Sequence, residues 1–293
     1  MREKSKTSHG GTHLITNAQS LKDRVRNLSK STGLNHNQII QYFMFDNFLE
    51  RLSLSPYKNN FIIKGVCLLS SIMGIKSRTT MDIDVNILNT PFTTDKIYSL
   101  IFEIIKIEKQ DNVFFEIANV EEIKEEQDYD GLRFTLVGKL ENIKVNFHID
   151  ISTGDIITPN AIHYSYRKIL EDEYIPLMSY NYETIIAEKL QSIFNRKIAN
   201  SRMKDYYDIY YLVNYKWNEL NQNHLKQAIL TTFKHRNSYE DIIKKDEIIN
   251  TLKNDLFLNK LWNNYSKKYI YATDITFLDC INAIVKLCNA FIE

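Results

Sequence analysis

The chain predicts an α+β fold: a mixed β-sheet core flanked by helices, followed by a mainly helical C-terminal region. Three observations carry this. Between residues 61 and 151, short apolar or alternating segments that read as strands are interleaved with segments at helical spacing, the order expected when a sheet is built through helical connections. From Tyr182 onward apolar residues recur at helical spacing almost to the end. The composition, 44% hydrophobic and 25% charged over 293 residues, supports a sizeable core.

Each element has its own warrant. Asn17 to Ser31 reads as a helix with Leu21, Val25 and Leu28 on one face, and Gly33 supplies the stop. A second helix, Asn37 to Leu52, sets Ile40, Phe43, Met44 and Phe48 on one face and is closed by Ser55-Pro56. Residues 1–54 are read as a unit of N-terminal helices that pack or dock through these stripes. Residues 55–160 form the core unit. Phe61 to Ile63 is a short strand, and Lys64-Gly65 turns into an apolar helix that ends at Met73-Gly74. Residues 82 to 87 alternate strictly, 94 to 107 read as a helix, and 112 to 118 as a strand. Leu132, Phe134 and Leu136 mark a further strand, and Val145 to Ile151 alternates again. A soft boundary is expected over 155–181, where Pro159 and Pro176 interrupt the periodicity. Residues 161–293 are read as a helical domain that completes the site.

Composition also excludes. Lys plus Arg is 37 and Asp plus Glu 36, a net charge of +1 that rules out a polybasic binder but not a local basic groove. Cys67, Cys280 and Cys288 have no paired spacing, which argues against a disulfide or zinc framework. There is no apolar run of about 18 residues, so no membrane span is expected. Met1 to His13 is polar and basic, reading as a frayed tail and not a signal peptide. A cytoplasmic location is the expectation.

The chemistry rests on period-2 geometry, which sends residues i and i+2 to one face of a strand. Asp82 and Asp84 point one way while Ile83 and Val85 point into a core. In the later strand Val145, Phe147, Ile149 and Ile151 take the apolar face, and Asn146, His148 and Asp150 the other. If the two strands are neighbours, Asp82, Asp84 and Asp150 converge. Three carboxylates repel one another, and an all-oxygen set suits Mg²⁺ or Mn²⁺ better than zinc. Asp-x-Asp by itself is weak, but Gly65 lies upstream between a strand and a helix, where a glycine allows close approach of a phosphate to a helix N-terminus. Ser70 or Ser71 is a candidate to face the site. Arg78, Thr79 and Thr80 stand just before the Asp strand, placed to meet phosphate, with a plain surface charge the alternative for Arg78. His148 either lines the pocket or is a structural histidine, with the structural role favoured. Tyr207 and Tyr211, at helical spacing, read as core before they read as stacking platforms, and Lys234, His235, Arg236, Lys244, Lys245, Lys267 and Lys268 as either a groove for an RNA backbone or a solvated face.

With these residues in view the chain resembles the AbiEii/AbiGii family of bacterial toxins, within the nucleotidyltransferase superfamily of the DNA polymerase β-like fold. The resemblance runs through FIIKGVCLLSSIMGIKSRTTMDIDVNI, then FHIDISTGDIITPN, then NYETIIAEKLQSIFNRKIANSRMKDYYDIYYL, with TTFKHRN and LWNNY near the end. It covers residues 20 to 270, and SRMKDYYDI is its most specific piece. Val66-Cys67 departs from the small residues usual after the glycine. The resemblance implies that Asp82, Asp84 and Asp150 are catalytic and hold two Mg²⁺ ions, with Asp150 completing the site for the ion that activates the attacking group. It implies that Lys64, Gly65, Arg78, Thr80, Lys189, Arg202, Lys204 and Asp205 meet the nucleotide. Lys189 would reach the phosphates, Asp205 would orient Lys189 or the nucleotide, Asp208 would support the helix, and Ser201 would cap it. The implied activity is transfer of NMP from an NTP to an RNA acceptor, the tRNA 3′ end first among them, with release of pyrophosphate. The implied partner is a separately encoded antitoxin of a toxin–antitoxin or phage-defence system. Protein nucleotidylation and, given Val66, a non-catalytic nucleotide- or RNA-binding module are the alternatives; a metal-dependent glycosyltransferase does not account for Asp150 or SRMKDYYDI.

Overall fold

The computed structural model describes residues 14–74, 82–124 and 130–291. Among these residues seven strands form one mixed sheet: β1 (Phe61–Lys64), β2 (Asp82–Ile87), β3 (Phe114–Lys124), β4 (Asp130–Leu140), β5 (Ile143–Ser152), β6 (Ile162–Arg167) and β7 (Tyr174–Ser179). Their spatial order is β3-β4-β5-β2-β1-β7-β6. β3, β4 and β5 make an antiparallel meander, β5 lies parallel to β2, and β2 is antiparallel to β1. β1 runs parallel to β7, which pairs antiparallel with β6. The strand expected over 112–118 runs on to Lys124.

β6 and β7 correct the expectation of a boundary over 155–181. Pro176 sits inside β7 opposite Ser165, whereas β1 joins β7 only at Met178 and Ser179. The proline therefore stands where only one neighbour pairs, and its missing N–H costs the ladder little. β6 is an edge strand with Tyr166 its one buried residue, so it offers no alternation to read.

Two helices precede the sheet. α1 (Ala18–Thr32) starts on Asn17, whose side chain accepts from the Ser20 amide, and ends at Gly33 with φ 76, the left-handed stop that glycine takes without strain. α2 (His36–Leu54) opens with a capping box between Asn35 and Gln38 and closes on Ser55. The sequence suggested one apolar stripe on α2, but every residue from Tyr42 to Leu49 is buried. Phe45 and Phe48 meet Phe147 of β5 edge-on, α1 packs against α2, and the β6–β7 turn presents the Ile169 amide to the Asp46 carboxylate at 2.7 Å. The other Asp46 oxygen is buried with no hydrogen-bond partner among the described residues, and burial pushes this carboxyl up to about 8. Further along α2 Arg51 grips Asp111 with two bonds of 2.9 and 2.8 Å, and Lys168 bonds Glu50, Glu171 and Glu173.

α2 and α4 (Thr94–Ile105) cover the apolar face of the sheet, where Ile83, Val85, Phe134, Phe147 and Ile149 are all fully buried. α3 (Gly65–Met73) follows β1 directly. β4 and β5 are joined by the two residues Glu141-Asn142, with Glu141 at φ 50 and its carboxylate accepting from the Ala18 amide that opens α1, at 3.0 Å. The C-terminal region is helical as expected: α5 (Tyr182–Arg196), α6 (Met203–Tyr215), α7 (Gln222–His235), α8 (Tyr239–Ile243), α9 (Lys245–Asn254), α10 (Leu256–Lys268) and α11 (Phe277–Phe291). α5 packs on α6 and α7, and α11 on α6 and α9. Tyr206 and Tyr207 are buried here, Tyr206 edge-on to Phe277, and Tyr211 packs partly buried beside Tyr207. Among the described residues no helix is long and apolar enough to cross a membrane.

Candidate active site

The polar face of the sheet carries the candidate residues in two ranks. β2 and β5 are parallel neighbours with Asp84 directly beside Asp150 and Asp82 beside His148. The convergence expected of the three aspartates is therefore met through strand register. The same register extends outward: Lys64 of β1 is paired with Asp84, Arg133 of β4 with Asp150, and Glu121 of β3 with Arg133. Five strands thus place Lys64, Asp84, Asp150, Arg133 and Glu121 in one row on one face, because paired residues of adjacent strands project the same way.

Arg133 is one of the residues that sequence reasoning missed. Its Nε and Nη2 donate to the two Asp150 oxygens at 2.7 and 2.6 Å, a forked, charge-assisted pair. The signal was present, since Leu132, Phe134 and Leu136 assign Arg133 and Thr135 to the Asp150 face. Asp82 is half-buried, and its carboxyl is pushed above its ordinary range by burial and then by Asp150, against the opposing pull of His148, Arg133 and Lys204. His148 holds Thr135 through Nδ1 at 3.2 Å, consistent with the structural reading.

Gly65 has a reason beyond approach to phosphate. Its φ is +64, and a Cβ built on it would lie 2.1 Å from Asp84 Oδ2. The bare backbone is what lets Asp84 sit against the first turn of α3. The side chains of Val66 and Cys67 lie outside the described residues, as do Arg78, Thr79 and Thr80 entirely. Ser70 and Ser71 do not face the site. They receive hydroxyl bonds from Tyr42 and Tyr164 and line a separate cavity beside the β6–β7 turn.

The opposite wall of the site is α5 with the start of α6. A cleft of about 480 Å³ is lined by Lys64, Gly65, Asp82, Asp84, Arg133 and Asp150 on the sheet side. Glu188, Lys189, Ser192, Arg196, Arg202, Lys204 and Asp205 line the helical side. A volume of this size accommodates a nucleotide-sized ligand. Lys189 is held between two carboxylates, Asp205 at 2.9 Å and the fully buried Asp208 at 2.7 Å. Asp208 is thus a direct partner of Lys189 and not merely a helix support. Arg196, which the sequence reading did not name, is lowered by burial and by its neighbour Arg202, so two guanidiniums crowd the same wall. Ser201 does not cap α6. Arg202 occupies the cap position, where its side chain makes no bond to the helix amides, and Asn200 Oδ1 takes the Arg202 amide.

A further cluster ties the helical wall to the sheet. Lys64 Nζ donates to Ser152 Oγ at 2.6 Å and Asp155 Oδ2 at 2.7 Å. Arg236, at the end of α7, donates to Asp155, Glu188 and Gln191, and His235 Nε2 meets the Gly154 carbonyl. Burial pushes the Asp155 carboxyl up, but Lys64 and Arg236 outweigh it and hold the group below its ordinary range. His235 and Arg236 thus turn to the Gly154–Asp155 segment that follows β5, and Arg236 also lines the cleft.

The donor set for a cation is all oxygen, and Asp150 adds to burial in raising the Asp82 carboxyl, a repulsion that a divalent ion relieves. As the side chains stand, no three acidic, histidine or cysteine groups among the described residues form a ready cage. Both Asp150 oxygens are turned to Arg133.

The family described as nucleotidyl transferase AbiEii toxin, type IV TA system, matches residues 47–283. Similar solved structures include a candidate nucleotidyltransferase from H. pylori, 12% identical with a TM-score of 0.47 over 88% of this chain and 96% of that one. JHP933 from Helicobacter pylori is 11% identical with a TM-score of 0.43 over 94% and 93%. No curated protein matches the chain.

Proposed function

The chain belongs to the AbiEii nucleotidyltransferase toxin family of type IV toxin–antitoxin systems, and from that premise we propose that it transfers NMP from an NTP to an RNA acceptor, the tRNA 3′ end, releasing pyrophosphate. The observation that carries this reading is the facing of Asp82, Asp84 and Asp150 across one cleft from the Lys189–Asp205–Asp208 triad, with the bare backbone of Gly65 at the carboxylate end. In the reaction the acceptor 3′-hydroxyl loses its proton to solvent as its oxygen attacks the α-phosphorus, and the bond to the bridging oxygen of the departing pyrophosphate breaks. Little covalent chemistry is asked of the protein, so positioning and charge neutralisation dominate. Asp82, Asp84 and Asp150 would hold Mg²⁺, or Mn²⁺ in its place, which supplies charge neutralisation at the attacking and leaving oxygens.

The protein's own groups do the rest. Gly65 opens α3, whose N-terminal amides favour an anion. Lys189 is a point charge for the triphosphate, held and aimed by its two aspartates. Arg202, Lys204 and Arg196 add cationic character along the same wall, where polyphosphate and the acceptor backbone both need it. The family further implies an antitoxin partner.

The test is transfer of label from each α-³²P NTP to purified tRNA and to lysate protein with Mg²⁺, beside Asp82→Ala/Asp84→Ala. Label on tRNA that vanishes in the double variant is the expected result. Label confined to protein would replace the acceptor, and label unaffected by the double variant would overturn the site.

A further inference from the structure

Arg133 stands between two carboxylates. Asp150 of β5 holds it by two short bonds, and Glu121 of β3 is paired with it from the opposite side. Adjacent strands are about 4.8 Å apart, so a guanidinium on its long stem passes from one neighbour to the other by side-chain torsions alone. Glu121 is exposed, which leaves room for that movement, and its charge already acts on Arg133. The row alternates in sign at this end and then breaks the alternation where Asp150 meets Asp84. That is the pair of like charges an arriving cation must serve.

We propose that Arg133 is a placeholder cation: it neutralises Asp150 while the site is empty, and it surrenders that carboxylate to the metal by turning to Glu121. The inference rests on the metal-assisted reading given above. It makes Arg133 a positioning residue that acts through Asp150. A metal binding at the three aspartates then competes with the fork of Arg133, and Glu121 sets how easily the fork lets go. The arrangement keeps three like charges folded together before loading and costs affinity for the bare ion.

The consequence is an affinity change of opposite sign at two residues. Mn²⁺ binding to the full chain without nucleotide is measured by the loss of the free-ion electron paramagnetic resonance signal. Arg133→Met, which keeps the length of the stem, is expected to tighten Mn²⁺ by about tenfold by removing a forked, charge-assisted competitor. Arg133→Lys retains charge without the fork and is expected to fall between. Glu121→Gln is expected to weaken Mn²⁺ by a few-fold, and to have no effect once Arg133 is already Met. Unchanged or weaker binding in Arg133→Met would overturn the proposal, and so would an effect of Glu121→Gln that persists without Arg133. Mn²⁺ binding that survives Asp82→Ala/Asp84→Ala undiminished would instead remove the metal reading beneath it, a separate failure with a separate signature. Thermal melts of each variant establish that the fold is kept.

Discussion

At the scale of single residues the site depends on two things that differ in legibility. Gly65 shows the first. A methyl there meets Asp84 Oδ2 at 2.1 Å, and the φ of +64 disfavours any side chain. Gly65→Ala is expected to cost roughly 1–3 kcal/mol of stability and about a hundredfold or more in label transfer through a displaced carboxylate; melting and transfer on the same preparation check both. A mutant with full transfer would show that Asp84 is not held where the reaction needs it. The aspartates themselves were readable because a strand sends alternate residues to one face, and Asp82, Asp84 and Asp150 fall on the polar phase of their strands. Arg133 fell on the same phase yet went unnamed. Its role follows from which residue of β5 it faces, and that register is a property of two strands together. Asp155 and Arg236 were less legible still, since a bond between positions so far apart in sequence leaves no periodic trace.

At the scale of elements, α2 carries the clearest consequence. Its middle is buried on all sides, and Asp46 is set there with one oxygen bonded to Ile169 and the other without a hydrogen-bond partner among the described residues. Burial raises this carboxyl from 3.8 to about 8. The folded state then holds a proton that the unfolded chain has released, so the contribution to stability is fully present below 3.8 and is lost as pH rises through about 8. Asp46→Asn, which mimics the protonated acid, is expected to flatten the fall in urea midpoint between these values; an unchanged slope would place the titration elsewhere. The elements themselves were mostly legible. Helix stops at Gly33 and Ser55 and the alternation of β2 and β5 were enough to place them. The hairpin of β6 and β7 was not, because an edge strand with a proline-bearing neighbour has neither continuous burial nor an unbroken ladder to write a pattern into the sequence.

At the scale of the whole molecule, the helical region is joined to the sheet through Asp155. Lys64 from β1 and Arg236 from α7 converge on its carboxylate, and Tyr180 adds a third bond at 3.1 Å. Because Lys64 and Arg236 hold Asp155 below 3.8, its contribution is fully present above that value and is lost as pH falls beneath it. Arg236→Gln leaves Glu188 and Asp155 with one partner fewer and is expected to cost about 1–3 kcal/mol. Amide exchange in α7 should rise and the acid limb of the stability profile should soften. Equal exchange in α7 before and after the change would show that other contacts hold the two halves together.

The two-residue turn at Glu141-Asn142 has a meaning beyond its size. It fixes which residue of β4 faces which residue of β5, and its glutamate is tied to the start of α1. Surface loops ordinarily drift in length with little harm. Here one added residue would slide the meander by a step and carry every charge of the row to the wrong neighbour or the wrong side. Replacing Glu141 would cost one bond to the start of α1, whereas lengthening the turn would cost the register of the whole row.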